Sequence, residues 1–161
     1  MYLYLKQKVF SIGDKLTFFD VNQKPVYFVK GSILKIPHRL TISDAAGKEI
    51  VMVKTKMFRL LKEYNIINCA SNEIIGRIKR RFSIGKKFNI EINGQKLSVD
   101  GSIFGFQFDI KNGAGESLVS VHKKYISWGD SYEIYMDDKK IKPEAVCAIC
   151  VAFDNAVHPH R

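Results

Sequence analysis

Ala145-Val-Cys-Ala-Ile-Cys-Val-Ala-Phe153, near the end of the chain, contains no glycine, no proline and no charge. Pro143 and Glu144 precede it. Proline suits the first turn of a helix, where its missing N–H costs nothing, and a carboxylate there complements the positive end of the helix dipole. The stretch therefore predicts a helix that is apolar on every side. Such a helix must be buried all round, in protein or in lipid. Its nine residues rise only about 14 Å, against the roughly 20 residues a bilayer core requires. Asp154, Asn155 and the His158-Pro-His-Arg161 tail close the run with groups that want water. Length thus speaks against a C-terminal membrane anchor and leaves a wall of protein as the solvent of this helix.

The rest of the chain can supply that wall. Leu16-Thr-Phe-Phe-Asp20, Leu40-Thr-Ile-Ser-Asp44, Tyr64-Asn-Ile-Ile-Asn68 and Phe88-Asn-Ile-Glu-Ile92 begin 24 residues apart. Related pieces follow at Phe106-Gln-Phe-Asp-Ile110 and Tyr132-Glu-Ile-Tyr135. Each alternates apolar and polar residues, the period of a half-buried strand. Turn residues follow most of them, and Asn93-Gly94 is the strongest hairpin signal. Behind the turns run second strands at 26–29, 50–53, 74–78, 96–99 and 118–121, and a first strand is expected near 2–5. The expectation is a mainly β fold: a closed antiparallel barrel of about twelve strands around a central buried C-terminal helix, since eight strands enclose only side chains. Residues 1–161 are expected to form a single domain, because no linker or low-complexity tract interrupts them.

Composition narrows the function classes. The chain is 46% hydrophobic, as a globular protein should be, but carries a net charge of +10. That charge predicts attraction to acidic lipid, nucleic acid or acidic protein. Three cysteines, an odd number, argue against a disulfide framework and fit a reducing compartment. The N-terminal Met-Tyr-Leu-Tyr-Leu-Lys lacks the pattern of a signal peptide. A cytoplasmic monomer, peripheral at the membrane where it binds lipid, is expected.

Several stretches together resemble one family. Val29-Lys-Gly31, Ile42-Ser-Asp-Ala-Ala-Gly47 and Trp128-Gly-Asp-Ser-Tyr-Glu-Ile134, followed by the apolar helix and Ala152-Phe-Asp154, are similar to the LURP-one-related family, in particular to its short bacterial members. That family belongs to the tubby C-terminal-domain-like superfamily, which includes the phospholipid scramblases. The resemblance covers nearly the whole chain. It implies a twelve-stranded barrel around a central helix, and phosphoinositide binding or membrane tethering in some members. A scramblase's cysteine cluster and spanning segment are missing from this sequence, and no tubby lipid-site residue carries over.

The residues that can bind anions are cations at strand ends. Lys54 and Lys56 end one second strand; Arg77, Lys79, Arg80 and Arg81 end the next; His122, Lys123 and Lys124 end a later one. In an up-and-down meander these ends gather at one rim, and Lys86 and Lys87 open the next hairpin beside them. With Val53, Ile78 and Val121 inward, Lys54, Arg77, Lys79, His122 and Lys124 face outward. Such a rim suits lipid head groups or another polyanion, and it equally suits a solvated edge guarded by charge. Cys147 and Cys150 form a C-x-x-C, but inside an apolar helix they are expected to be packing residues and not thiolates.

His38, His122, His158 and His160 sit in no nucleophile or metal motif, and no P-loop or Gly-x-Ser-x-Gly is present. No catalytic residue, cofactor or metal is expected. Asp130 is expected at a turn, and Trp128 and Tyr132 in barrel packing. A non-enzymatic module for anionic ligands or a membrane surface is the favoured function. A nucleic-acid binder and a protein-interaction scaffold of unknown partner are the alternatives.

Overall fold

Twelve strands follow one another and close on themselves. They are β1 (Tyr2–Gln7), β2 (Asp14–Phe19), β3 (Pro25–Gly31), β4 (Arg39–Asp44), β5 (Glu49–Thr55), β6 (Glu63–Asn68), β7 (Ile74–Arg80), β8 (Phe88–Ile92), β9 (Gln95–Ser102), β10 (Gln107–Lys111), β11 (Ser117–Ile126) and β12 (Gly129–Met136). Each pairs antiparallel with its neighbours in sequence, and β1 pairs with β12 from Tyr2 opposite Tyr135 to Lys6 opposite Ser131. Closure leaves no edge strand between the chain termini. The computed structural model describes residues 1–7, 14–31, 38–56, 61–81, 87–126 and 129–157.

The helix α1 (Pro143–Val157) fills the barrel. Its residues 145–153 are at most 2% exposed, so no face of this segment meets solvent. The contacts come from all around. The Phe153 ring lies 5.1 Å from Phe88 in β8 and 5.4 Å from Phe108 in β10. Asn155 Oδ1 accepts a hydrogen bond from Tyr64 in β6. On another side, Tyr27 in β3 is pushed up to about 12 by burial, with Cys147 and Glu144 adding to the effect. Ala145, Ala148, Ala152 and Ala156 are all buried; their small side chains let the sheet approach the helix axis. The inward row of every strand completes the core: Leu3 and Leu5, Leu16 and Phe18, Val29, Ile42, Val51 and Val53, Ile66, Ile78, Ile90, Leu97, Ile110, Val121 and Ile134.

Antiparallel order gives the barrel two distinct ends. Even-numbered strands finish at one end, and α1, which follows β12, enters there. It leaves at the other end, where Asn155 meets Tyr64 near the start of β6. At the entrance the 24-residue repeat becomes a repeated turn. Asp20, Asp44 and Asn112 each accept two backbone N–H groups on Oδ1, from residues two and four further on. The third residue after each has positive φ: Gln23, Gly47 and Gly115. That is a type I turn closed by a left-handed residue. Asn68 heads a longer version, with Asn72 in the left-handed position. Asn93 and Gly94, both at positive φ, make the two-residue hairpin.

Three boundaries depart from expectation. Helix α1 continues past Phe153, with Asp154 buried and Asn155 half-buried, because the rim supplies partners for polar groups there. Phe106 belongs to the β9–β10 turn and not to a strand. Asp130 does not occupy a turn: it lies in β12 opposite Tyr125, because β11 and β12 pair as far as Ile126 and Gly129. Trp128, expected in the packing, lies outside the described residues.

Candidate anion-binding rim

The exit end receives the last residues of the odd-numbered strands and the first of the even-numbered ones. The cations singled out in the sequence therefore share this end, but alternation sorts them. On β7, Gly76 and Ile78 are buried and face the core, so Lys79 points outward and is exposed while Arg80 points into the mouth. Lys79 lies opposite Glu63 on β6 and Asn89 on β8; Arg80 lies opposite the buried Phe88. Arg81, one residue past the strand, is exposed, as is Lys87 just before β8. Lys54 faces outward between Arg39 and Asn65.

On β11, His122 is exposed opposite Glu133, whereas Lys123 shares the inward parity of Val121 and stands half-buried opposite Tyr132. Lys124 lies in β11 opposite Ser131; its side chain, like the whole of Lys86, falls outside the described residues.

Two of the expected cations are engaged elsewhere. Lys56 Nζ lies 2.5 Å from Glu63, a carboxylate that is itself buried. Arg77 stands three residues short of the β7 end, on the barrel's side, where it lines a shallow groove with Glu73, Ile74 and Glu91. Neither therefore adds an exposed charge to the rim.

The mouth itself holds the end of α1. Lys62 Nζ donates to the Asn155 carbonyl oxygen at 3.3 Å, placing a cation at the negative end of the helix dipole. Burial raises the Tyr64 phenol well above its usual range, and the charge of Arg80 works against that rise. Arg80 Nε is buried with no hydrogen-bond partner among the described residues. Lys62, Arg39 and Lys30 were not picked out by sequence. The signal was available: in a meander the starts of even strands meet the ends of odd ones, so cations at both belong to one rim.

The opposite end mixes both signs, with Lys24, Lys48, Lys96, Lys139 and Lys142 in or beside its turns together with acids. Asp20, Asp44, Glu73, Glu116, Asp137 and Asp138 lie in or beside the entrance turns. There Lys140 bonds Glu116, which holds that carboxyl below its usual range, and approaches Asp137 at 3.7 Å. The exit end carries Glu63, Asp154 and, beside the β9–β10 turn, the cross-strand pair Asp100 and Asp109 as acids, with Asp14 and Asp130 there by strand position.

The C-x-x-C pair is sealed in the core. Burial raises the Cys147 thiol well above its normal range, with Cys150 and Glu144 adding to it, and pushes Cys150 up to about 12. Neither is a nucleophile near neutral pH. Among the described residues no group of three or more His, Cys, Asp or Glu gathers at a place that could hold a metal. No helix there is long and apolar enough to cross a membrane.

The sequence matches no curated protein. An X-ray structure of a protein from Arabidopsis thaliana superimposes with a TM-score of 0.69, covering 96% of this chain and 90% of that chain at 16% identity. At that identity the likeness is one of fold. Residues 1–154 match the LURP-one-related family, a span that takes in all twelve strands and α1 as far as Asp154. The barrel wrapped on an apolar helix is thus built from the sequence pattern of a known group, and the chain belongs to the LURP-one-related family.

Proposed function

We propose that this protein is a non-enzymatic binding module that docks its exit rim on anionic phospholipid at the cytoplasmic face of a membrane. The observation that carries the reading is the uneven distribution of charge along the barrel. Lys54, Lys79, Arg81 and Lys87 stand at strand ends around the exit, where cations are in excess, while lysines and carboxylates are present in comparable number at the entrance turns. A basic residue at an anionic membrane surface contributes about 1 kcal/mol, and a handful acting together suffices for reversible attachment. The lumen is filled by α1, so a ligand is held at the rim and not inside the barrel. This is a surface for charged head groups and not a carrier for acyl chains. Membership of a family that resembles the tubby-like membrane tethers supports the same reading.

The test is cosedimentation with phosphatidylcholine vesicles, with and without phosphatidylserine, at low and high salt. Binding should require phosphatidylserine and weaken as salt screens it. The double variant Lys79→Glu, Arg81→Glu should lose it. Equal binding to both vesicle types at low salt, or none to either, overturns the reading.

A further inference from the structure

Met1, Tyr2, Val21, Ile74 and Tyr135 are exposed large hydrophobic residues at the entrance end or beside it. Phe104, 54% exposed, is the exception among the described residues, for it stands at the exit end in the β9–β10 turn.

That turn is held on both sides of Phe104. Ile103 and Phe106 are only 4% and 1% exposed, so the residues flanking the tip are driven into the barrel mouth. The Phe106 ring packs 4.5 Å from Tyr132, and its N–H bonds the Ile103 carbonyl at 3.2 Å. Gly105 N–H is held by Ser102 Oγ at 3.3 Å. Phe106 adopts φ +48°, a left-handed backbone that costs a bulky residue free energy, and the surrounding packing maintains it. The fold thus tucks in two apolar side chains and turns the third outward. The last rung between β8 and β9 is Ile90–Leu97, whereas β9 pairs with β10 as far as Ser102–Gln107. The hairpin therefore reaches well past its β8 partner.

We infer that Phe104 is a membrane-inserting side chain: the exit rim meets an anionic bilayer with this ring entering the boundary between head groups and acyl chains. The inference rests on the lipid-docking reading above and specifies it. A free polyanion offers nothing apolar to receive Phe104, whereas a bilayer offers both charges for the cations and an apolar layer beneath them. Surface-bound proteins combine these two contributions, buried apolar area and attraction to anionic lipid. Docked in this way, the barrel stands end-on, with its entrance turns, where lysines and carboxylates offset one another, facing away from the negative surface.

The test separates the two claims. Wild type, Phe104→Ala and Phe104→Leu are compared on vesicles with and without phosphatidylserine. In parallel, Phe104→Cys and Val21→Cys, each in a Cys69→Ser background, carry an environment-sensitive fluorophore. Phe104→Ala is expected to weaken attachment to phosphatidylserine vesicles about tenfold, with an unchanged salt slope. Phe104→Leu should restore most of it. The label at 104 should shift to the blue on these vesicles, and the label at 21, which is 59% exposed in the native protein at the other end, should not. If wild type ignores phosphatidylserine, the docking reading fails and insertion with it. If wild type binds but Phe104→Ala binds equally and the label at 104 stays in water, insertion alone is overturned.

Discussion

The two ends of the barrel are built differently. At the entrance, short turns are fixed by Asp20, Asp44, Asn68 and Asn112 accepting backbone N–H groups, and Lys140 is held between Glu116 and Asp137. At the exit, four of the six connections between strands are longer than any at the entrance, and the cations outnumber the acids. The helix dipole explains part of this polarity. Its positive end, with Glu144, lies at the entrance, where charges of both signs mix, and its negative end, with Lys62, at the cationic exit. Inward-pointing Lys62 therefore serves the helix, and Arg80 stands inward beside Tyr64. Lys54, Lys79, Arg81 and Lys87 face away from it, and helix stability gives no account of them. The difference separates cations the fold needs from cations left over for a partner.

The largest effect should come from alkali, which attacks what both ends enclose. Cys150 has its thiol raised from 9.0 to about 12, and Cys147, Tyr27 and Tyr64 are raised as well. Raised acids keep their protons in the folded barrel after the unfolded chain has released them. Stability from this source is intact below pH 9 and drains away as pH rises toward about 12, at about 1.4 kcal/mol per unit per group. Urea melts from pH 8 to 11 measure it, and Cys150→Ala should flatten the slope. A pH-independent midpoint would mean the thiols meet water, and that the helix is not enclosed between two ends at all.

Phe153→Ala removes the ring wedged between Phe88 and Phe108 where α1 approaches the exit. A cost of about 3–5 kcal/mol is expected in urea unfolding. A loss below 1 kcal/mol would show that the exit end is loosely packed and that its mouth, unlike the entrance, is not part of the core.

How much of this could be read from sequence follows the same division. The helix was legible because nine uncharged residues after a Pro-Glu start are too short for a bilayer and too apolar for water. The strands were legible because alternation and the 24-residue recurrence repeat one hairpin whose turn chemistry is local: an Asp or Asn, then a left-handed residue. The exit end was half legible. Strand direction brought its cations to one rim, but direction does not tell Lys79, which faces out, from Arg80, which faces in, until the register is known. The ion pair of Lys56 was not legible because its partner Glu63 is contributed by the next strand. Phe104 was hidden because Gly101 to Gly105 resembles a plain glycine turn; only burial of Ile103 and Phe106 marks it out.

Gly101 sharpens the contrast by showing that the exit also contains one rigid device. Its φ is +104°, and an added Cβ would meet the Gln107 carbonyl oxygen at 2.6 Å, on backbone that cannot swing aside. Gly101→Ala should cost about 2–3 kcal/mol and, if Phe104 inserts, should also weaken vesicle attachment. Asp44→Ala at the entrance removes the acceptor of two N–H groups. It should cost about 1 kcal/mol and leave attachment unchanged. A reversed pattern, with Asp44→Ala impairing attachment and Gly101→Ala sparing it, would assign the docking role to the wrong end.

The smallest effect tests the comparison most directly, because it makes the same chemical change at both ends. Lys79→Ala and Lys140→Ala each remove one charge from the same net +10. Lys79 is exposed at the exit, while Lys140 sits at the entrance with Glu116 and Asp137. Charges more than about 10 Å from a surface are largely screened at ordinary salt. Lys79→Ala should therefore weaken binding to phosphatidylserine vesicles about fivefold, the share of one cation at the surface. Lys140→Ala should change it by less than about twofold, since its charge faces away and is already opposed by carboxylates. If the two variants lose binding equally, the vesicle senses only total charge and the barrel has no preferred end. If they differ as expected even though the charge removed is identical, the difference can come only from which end the residue occupies.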